Sequence, residues 1–130
     1  MYCLDTNIVI DILRGDKKLG DKIERLLAEG FEIFLTPITL CELYRGAYGH
    51  VNYKKKILEV NSFILNFEIL EFDAASCEEF GKTYKELEKK GKLIGEFDLM
   101  IASIVKSKRL VIVTRDKKDF ENTGVRIEVW

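Results

Sequence analysis

The chain has 130 residues, of which 47% are hydrophobic, and a formal net charge of −1. This length predicts one domain, residues 1–130, with enough apolar material for a core. The near-zero charge excludes a general attraction to nucleic acid or an anionic membrane. No stretch reaches the roughly 20 apolar residues of a membrane span. The opening Met1–Asp5 has neither a basic region nor a long apolar segment, so we expect a cytoplasmic protein without a signal peptide.

The cysteine and histidine content excludes several kinds of site. Cys3, Cys41 and Cys77 are widely spaced and include no C-x-x-C pair, which argues against a disulfide framework and against a zinc site. We expect reduced, buried thiols. The only histidine, His50, lies in a polar stretch, and we interpret it as a solvated loop residue rather than a catalytic one.

Strand and helix patterns alternate through the first half of the chain. Leu19, Ile23 and Leu26 show the spacing of one helix face, and Gly15 and Gly30 follow apolar runs as helix-ending residues. In chain order, the patterns predict a strand over 2–4, helices over 6–13 and 19–28, a strand over 32–35, a helix beginning at Pro37 and a helix over 51–65.

The second half continues the alternation. Asp73 is placed to cap a helix that Gly91 ends. The patterns predict a strand over 67–72, helices over 74–90 and 95–108, and strands over 110–114 and 125–129. Helices between strands imply crossover connections, so we predict a layered α/β domain whose mostly parallel sheet is covered on both faces.

Four acidic residues stand where elements begin or turn: Asp5, Glu42, Asp98 and Asp116. Asp5 and Asp116 each follow a predicted strand, and the carboxyl ends of parallel strands are where α/β folds place their sites. Carboxylates held together repel one another unless a cation neutralises them. Hard oxygen ligands of this kind suit Mg²⁺ or Mn²⁺.

Helix capping is the alternative explanation of the same acids. Asp5, Asp98 and Asp116 lie at or near predicted helix N-termini, where a carboxylate accepts backbone N–H groups and interacts favourably with the helix dipole. Asp116 is followed three residues later by Asp119, which resembles a capping box. Glu42 differs, because it lies inside a helix between core-facing positions, where an unpaired acid is costly. The spacing alone leaves both explanations open.

Four segments, taken in order, resemble the motifs of the PIN-domain ribonucleases, in particular the VapC-type toxins of toxin–antitoxin pairs. The segments are Leu4-Asp5-Thr6-Asn7, Thr36 through Glu42 to Leu43, Gly91 through Asp98 to Ala102, and Thr114-Arg115-Asp116 with Asp119-Phe120. The resemblance covers essentially the whole chain. It implies a single PIN-like domain with three layers, α/β/α, around a mostly parallel central sheet.

The resemblance also implies an activity and a set of roles. The expected activity is Mg²⁺- or Mn²⁺-dependent endonucleolytic cleavage of RNA that leaves 3′-hydroxyl and 5′-phosphate ends. The implied catalytic and metal-binding acids are Asp5, Glu42, Asp98 and Asp116, and the implied supporting residues are Thr6, Asn7 and Thr114. Arg115 is a departure, since many relatives carry asparagine there.

Basic residues close to these acids in the sequence could hold an RNA backbone. They are Arg14, Arg45, Arg115 and Lys117. Few aromatic residues interleave with them, so stacking on single-stranded bases is not predicted.

The resemblance implies two protein partners, a cognate antitoxin and a second copy of the chain in a homodimer. The region Ile8–Leu27, together with Tyr44 and Tyr48, has more apolar side chains than one core face can absorb, and we interpret it as the candidate interface. Burial in the core is the alternative.

Three other functions are alternatives to a nuclease. A catalytically inactive PIN-like scaffold that binds RNA or protein would keep the acids only as caps, and would not respond to a metal titration. A phosphatase with Asp5 as its nucleophile would need an aspartate two positions later, where Asn7 stands. A dinucleotide-binding domain would need a G-x-G-x-x-G motif after the first strand, and none is present.

Overall fold

The computed structural model describes residues 1–130 and consists of five strands, six helices and one short turn of 3-10 helix. The strands are β1 (Tyr2–Leu4), β2 (Ile33–Leu35), β3 (Glu68–Ile69), β4 (Val111–Thr114) and β5 (Arg126–Val129). The helices are α1 (Thr6–Leu13), α2 (Lys17–Ala28), α3 (Pro37–Tyr48), α4 (Tyr53–Ile64), α5 (Ala74–Lys89) and α6 (Glu96–Ser107), and the 3-10 turn is Lys117–Asp119.

The five strands form one sheet in the order β3-β2-β1-β4-β5, and every neighbouring pair is parallel. The predicted parallel sheet is therefore confirmed. β1 lies in the middle and pairs with β2 on one side and β4 on the other. The strands that precede Asp5 and Asp116 are thus neighbours, and their carboxyl ends lie at the same edge of the sheet.

Two apolar cores lie on opposite faces of this sheet, because successive side chains of a strand point to opposite sides. Cys3 and Ile112 belong to the core that includes α6, whereas Leu4 and Val113 belong to the core that includes α1 to α4. Both faces are covered by helices. The three-layer α/β/α arrangement is confirmed.

Side-chain caps and glycines set the helix boundaries. Thr36 and Asp73 accept hydrogen bonds from the backbone N–H groups of Thr39 (3.1 Å) and Ser76 (3.0 Å) at the beginnings of α3 and α5. Gly91 has a φ of 65° and follows α5 in the left-handed conformation that glycine adopts without a steric penalty. These local signals explain why most predicted boundaries agree with the structure to within two residues.

Some predictions differ from the structure. The strand predicted over 67–72 is regular only at Glu68–Ile69, at one end of the sheet. α2 begins earlier than its apolar pattern, at Lys17, because Asp16 caps it. The expectation of buried thiols is confirmed for Cys3 and wrong for Cys41 and Cys77, which lie on exposed sides of their helices. None of the six helices has the length and apolar character needed to cross a bilayer.

Candidate active site

The first predicted acid, Asp5, is fixed where β1 passes into α1. It is only 2% exposed. Its backbone N–H donates to the carbonyl of Val113 in β4 at 2.8 Å. Its Oδ1 accepts from the backbone N–H of Thr6, and its Oδ2 accepts from the hydroxyl of Thr114, both at 2.8 Å. Asp5 is an N-cap, as the capping explanation predicted, and one of its oxygens is also held by the neighbouring strand.

Glu42 reaches the same edge from α3. Its carboxylate is half-buried, and Oε1 accepts a hydrogen bond of 2.7 Å from the Thr6 hydroxyl. Thr6 therefore binds two acids at once, Asp5 through its backbone N–H and Glu42 through its side chain. The expectation that both neighbours of Glu42 face the core is correct for Leu43 and wrong for Cys41, which is exposed. The hydrogen bond from Thr6 compensates the half-buried carboxylate. It also supports the interpretation of Thr6 as a residue that orients the acids.

Asp98 lies in the first turn of α6, whose N-cap is Gly95. The helix predicted over 95–108 is therefore confirmed, with Asp98 near its N-terminus. Its carboxylate is half-buried and forms no hydrogen bond with another protein group. A methyl group placed at Gly95 would lie 4.0 Å from Oδ2 of Asp98, so the helix start is packed closely against this carboxylate.

Burial and neighbouring charges raise the pKa of two acids at this edge, Asp5 and Asp98. Burial raises the pKa of Asp5 to about 6, against the lowering effect of its hydrogen bonds from Thr114 and Thr6, and the charges of Asp119 and Glu42 raise it further. Burial likewise raises the pKa of Asp98 to about 7, with added repulsion from the other three carboxylates. None of these acids takes part in an ion pair.

The fourth predicted acid and its neighbour have different surroundings. Asp116 is exposed, and its Oδ1 accepts from the backbone N–H of Lys118 at 2.9 Å, as a cap of the 3-10 turn. Asp119 is half-buried, and its charge acts on both Asp5 and Asp98. We therefore add Asp119 to the candidate site. The sequence analysis includes Asp119 in the fourth segment that resembles a family motif, beside Phe120, which is fully buried and anchors this turn.

The chemistry of these groups fits a hard divalent cation. The donors are carboxylate and hydroxyl oxygens, with no histidine or cysteine at the edge of the sheet. The structure contains no group of three or more Asp, Glu, His or Cys side chains close enough together to hold one ion between them. Mg²⁺ commonly binds through only one or two carboxylates and keeps several waters. The assignment of individual acids as ligands remains a prediction.

Two of the predicted RNA-contacting residues have definite partners within the protein. The guanidinium of Arg115 binds Asp11 at 3.1 Å, Asp16 at 2.7 Å and the carbonyl of Trp130 at 3.0 Å. The ion pairs with Asp11 and Asp16 therefore hold this side chain against the α1–α2 turn. Arg45 instead lies over the ring of Phe97, 5.3 Å from its centroid, and has no acidic partner. It joins the helix that carries Glu42 to the turn that carries Asp98.

The other predicted residues lie around the same end of the molecule. Arg14 and Glu42 line a cavity of about 330 Å³, whose apolar walls come from α1, α3 and α4. Asn7 and Lys117 are exposed, and no side-chain hydrogen bond fixes either of them. His50 is exposed too, and its Nδ1 accepts from the backbone N–H of Asn52 at 3.0 Å, which agrees with a solvated loop residue.

The apolar surplus of the Ile8–Leu27 region is largely absorbed by the core. Ile8, Val9, Leu19 and Ile23 are buried in the core on the α1–α4 face. Tyr44 is half-buried and its hydroxyl donates to Asn61 at 2.6 Å.

Tyr48, also part of the predicted interface, remains 64% exposed at the end of α3, stacked on Tyr53.

The fold and the acidic edge define the class of protein. This chain belongs to the PIN domain family, whose model matches residues 2–125. It is 32% identical over 130 residues to the tRNA(fMet)-specific endonuclease VapC of Shigella flexneri, covering 99% of this chain and 97% of that protein. The corresponding VapC of Salmonella typhimurium is 33% identical over 130 residues, with the same coverage.

Solved structures give the same relationship. VapBC2 from Rickettsia felis, bound to a DNA fragment from its promoter, matches with a TM-score of 0.93 and 29% identity, over 99% of this chain and 98% of that one. DNA-bound VapBC from Salmonella typhimurium matches with a TM-score of 0.90 and 33% identity, over 99% and 97% of the two chains.

Proposed function

We propose that this chain is a metal-dependent endoribonuclease that hydrolyses RNA phosphodiester bonds, and that it is the toxin of a toxin–antitoxin pair. One observation carries the proposal: at the carboxyl edge of a PIN-domain sheet, burial and the charges of neighbouring acids raise the pKa of Asp5 and of Asp98, and neither carboxylate has a basic partner. Relatives that match over the full length of the chain are named ribonuclease or endonuclease VapC. The place of action is the cytoplasm, where such a toxin meets RNA.

The acids of the site are assigned to metal binding. Asp5, Glu42, Asp98 and Asp116 are the acids that would hold the metal ion, and Asp119 would add negative charge beside it. The bound cation, Mg²⁺ or Mn²⁺, supplies a lowered pKa for a coordinated water and offsets negative charge on the phosphoryl group.

The chain itself supplies the preorganisation of this site. Thr6 and Thr114 fix the direction of the Asp5 carboxylate before substrate arrives, so that little rearrangement is needed during the reaction.

Arg45 is the basic residue best placed to contact RNA. It lies on the helix that carries Glu42, its guanidinium rests on Phe97 at 5.3 Å, and no carboxylate neutralises it. An RNA phosphate could therefore bind its N–H groups without displacing an ion pair. Phe97 is 39% exposed beside Asp98, which offers an unpaired base an aromatic surface at the site. Arg14 is a second candidate contact, at the cavity beside Glu42.

We propose two protein partners. Chains similar to this one occur in VapBC complexes, and an edge of unpaired acids is a favourable place for a basic side chain of an antitoxin. For a homodimer, Tyr48 is the large apolar residue of the predicted interface that remains exposed, and its ring stacks on Tyr53.

The proposal is tested by incubating the purified chain with total RNA in Mg²⁺ and, separately, in EDTA. We expect discrete cleavage fragments with 5′-phosphate ends in Mg²⁺ only, and none from Glu42→Gln. Cleavage that persists in EDTA would exclude the metal-dependent mechanism. If the wild-type chain is folded but inactive, and its melting temperature does not change with Mg²⁺ or Mn²⁺, a PIN-like binding scaffold is favoured instead.

A further inference from the structure

Three buried threonines form a chain of hydroxyl groups that ends on the Glu42 carboxylate. Thr36, Thr39 and Thr6 are 0%, 0% and 4% exposed. The Oγ1 atoms of Thr36 and Thr39 are 3.4 Å apart, and those of Thr39 and Thr6 are 3.0 Å apart. The last contact, from Thr6 to Glu42, is 2.7 Å long. The hydroxyl chain thus runs from the beginning of α3 to the first residue of α1 and back to α3.

The number of available protons fixes the direction of these hydrogen bonds. Each threonine hydroxyl has one hydrogen to donate, and a carboxylate only accepts. Thr6 donates to Glu42, so its oxygen must accept from Thr39. The Thr39 oxygen then accepts from Thr36, which in turn accepts from the backbone N–H of Thr39. All three hydroxyls point toward Glu42, and hydrogen bonds aligned in this way polarise one another.

We propose that Thr39 is a positioning residue for RNA cleavage, because it directs the Thr6 hydroxyl onto the Glu42 carboxylate. The inference rests on the proposed function, since it assigns Thr39 to the same acidic site. Without the Thr39 hydroxyl, the oxygen of Thr6 loses its only side-chain donor. Thr6 can then turn while its backbone N–H stays on Asp5. Glu42 loses its fixed direction relative to Asp5.

A purely structural role for Thr39 must be separated from this one. The residue lies in the first turn of α3 and is fully buried, so its replacement can lower stability without any link to Glu42. Thr83 offers a matched control. It is 2% exposed and donates its hydroxyl to Glu79 at 3.3 Å, within α5. Thr83→Val therefore also removes a buried threonine–glutamate hydrogen bond, but in another helix.

The kinetic test measures kcat and KM for Mg²⁺-dependent RNA cleavage. We expect Thr39→Val to lower kcat about tenfold, the value of one hydrogen bond lost from the aligned site, with KM unchanged. Thr39→Ser keeps the hydroxyl and should retain most of the wild-type kcat. Thr83→Val should be less stable than wild type yet equally active. Wild-type kcat in Thr39→Val, or equal losses in its valine and serine variants, would overturn the proposal.

A second test does not depend on activity. Urea unfolding of wild type, Thr39→Val, Glu42→Ala and the double variant shows whether the two side chains are energetically coupled. We expect the double variant to lose less than the sum of the single losses, and strict additivity would overturn the proposal even if the wild type cut no RNA. Thr39→Ala replaces the valine variant in both tests if valine prevents folding. An inactive wild type with intact coupling would count against the nuclease function alone.

Discussion

The acidic side chains at the two ends of α6 have opposite surroundings: those near its C-terminus are paired with lysines, and the one near its N-terminus has no basic partner. Near its C-terminus, Lys106 binds Glu79 at 2.8 Å and Lys108 binds Asp73 at 2.9 Å, and these contacts hold the pKa of both acids below the ordinary range. Near its N-terminus, Asp98 has no basic partner, and burial among other acids raises its pKa to about 7. The same helix therefore carries lysines that neutralise acids and an acid that is left unneutralised.

This difference separates acids that stabilise the fold from acids that cost it stability. A partly buried charge is normally paired, because desolvation without compensation is unfavourable. The helix dipole favours a carboxylate in the first turn of α6, but the raised pKa of Asp98 means that burial and the neighbouring acids outweigh it. Such unfavourable arrangements are concentrated at functional sites.

The largest expected effect is on activity. Asp98→Asn keeps the size of the side chain and removes one negative charge from the site, so we expect RNA cleavage in Mg²⁺ to fall by roughly 10²- to 10³-fold. The measurement is kcat/KM on a defined RNA. Glu79→Gln is the matched control, because it removes one acid that contacts the other end of α6, and should leave cleavage unchanged. Equal activity in the two variants would contradict the claim that Asp98, unlike Glu79, is needed for cleavage.

Divalent cations should stabilise the folded chain by binding at the acidic edge that includes Asp98, and not at the end of α6 that contacts Glu79. Mg²⁺ at about 100 times its Kd is expected to add about 2.7 kcal/mol to the free energy of unfolding, because it binds the folded chain alone. Thermal denaturation with and without EDTA measures the effect. Asp98→Asn should lose most of this stabilisation, whereas Glu79→Gln should keep it. A wild-type melting temperature that does not respond to Mg²⁺ or Mn²⁺ would contradict the assignment of a metal site.

The two groups of acids should give pH dependences of opposite sign. Asp98 has a pKa of about 7 in the folded chain and 3.8 as an ordinary group, so the folded state binds its proton more tightly. Its effect on stability therefore becomes unfavourable as the pH rises from about 4 to about 7. Glu79 has a lowered pKa, so its favourable contribution is present above its ordinary pKa and is lost as the pH falls.

Urea unfolding in metal-free buffer tests this sign. We expect Asp98→Asn to be more stable than wild type by roughly 1–2 kcal/mol at pH 8, after allowance for partial solvent screening. The difference should vanish below about pH 4, where both proteins are neutral at this position. Glu79→Gln should instead be less stable than wild type near neutral pH. An Asp98→Asn variant that is less stable at pH 8 would contradict the electrostatic origin of the raised pKa.

The smallest effect concerns the two arginines at the site. Arg115→Gln breaks exposed ion pairs with Asp11 and Asp16 and should cost at most about 1 kcal/mol, with KM for RNA unchanged. Arg45→Gln should raise KM and leave the unfolding free energy nearly unchanged, since no carboxylate binds this side chain. The measurements are urea unfolding and steady-state kinetics. If Arg115→Gln raised KM and Arg45→Gln did not, Arg115 rather than Arg45 would be the residue that contacts RNA.

Local sequence signals were sufficient for much of the fold. Caps such as Asp73, the first-turn proline Pro37, glycines such as Gly91, and the period of apolar residues act over a few neighbouring positions, so they can be recognised without the tertiary structure. The exposure of Cys41 and Cys77 could not be recognised in this way, because it depends on which side of each helix the neighbouring elements cover.

The site was predictable in its chemistry and less so in its members. The alternation of elements predicts a parallel sheet but not its strand order, so the pairing of β1 with β4, which brings Thr114 to Asp5, comes from the structure. Asp119 was interpreted both as part of a capping box and as part of the fourth segment that resembles a family motif, because a helix start and a site use the same residue types. Arg45 and Phe97 are far apart in the sequence, so their contact depends on how α3 packs against α6.

The position of β1 between β2 and β4 has a consequence for synthesis of the chain. The ribosome releases β1 and β2 early, but β4, with the hydroxyl that holds Asp5, emerges only within the last fifth of the polypeptide. A nascent or truncated chain that ends before Val111 leaves one edge of β1 unpaired and open to association with other strands. Such a fragment should be harmless to RNA and prone to aggregate, so that catalytic competence arises only when translation is nearly complete.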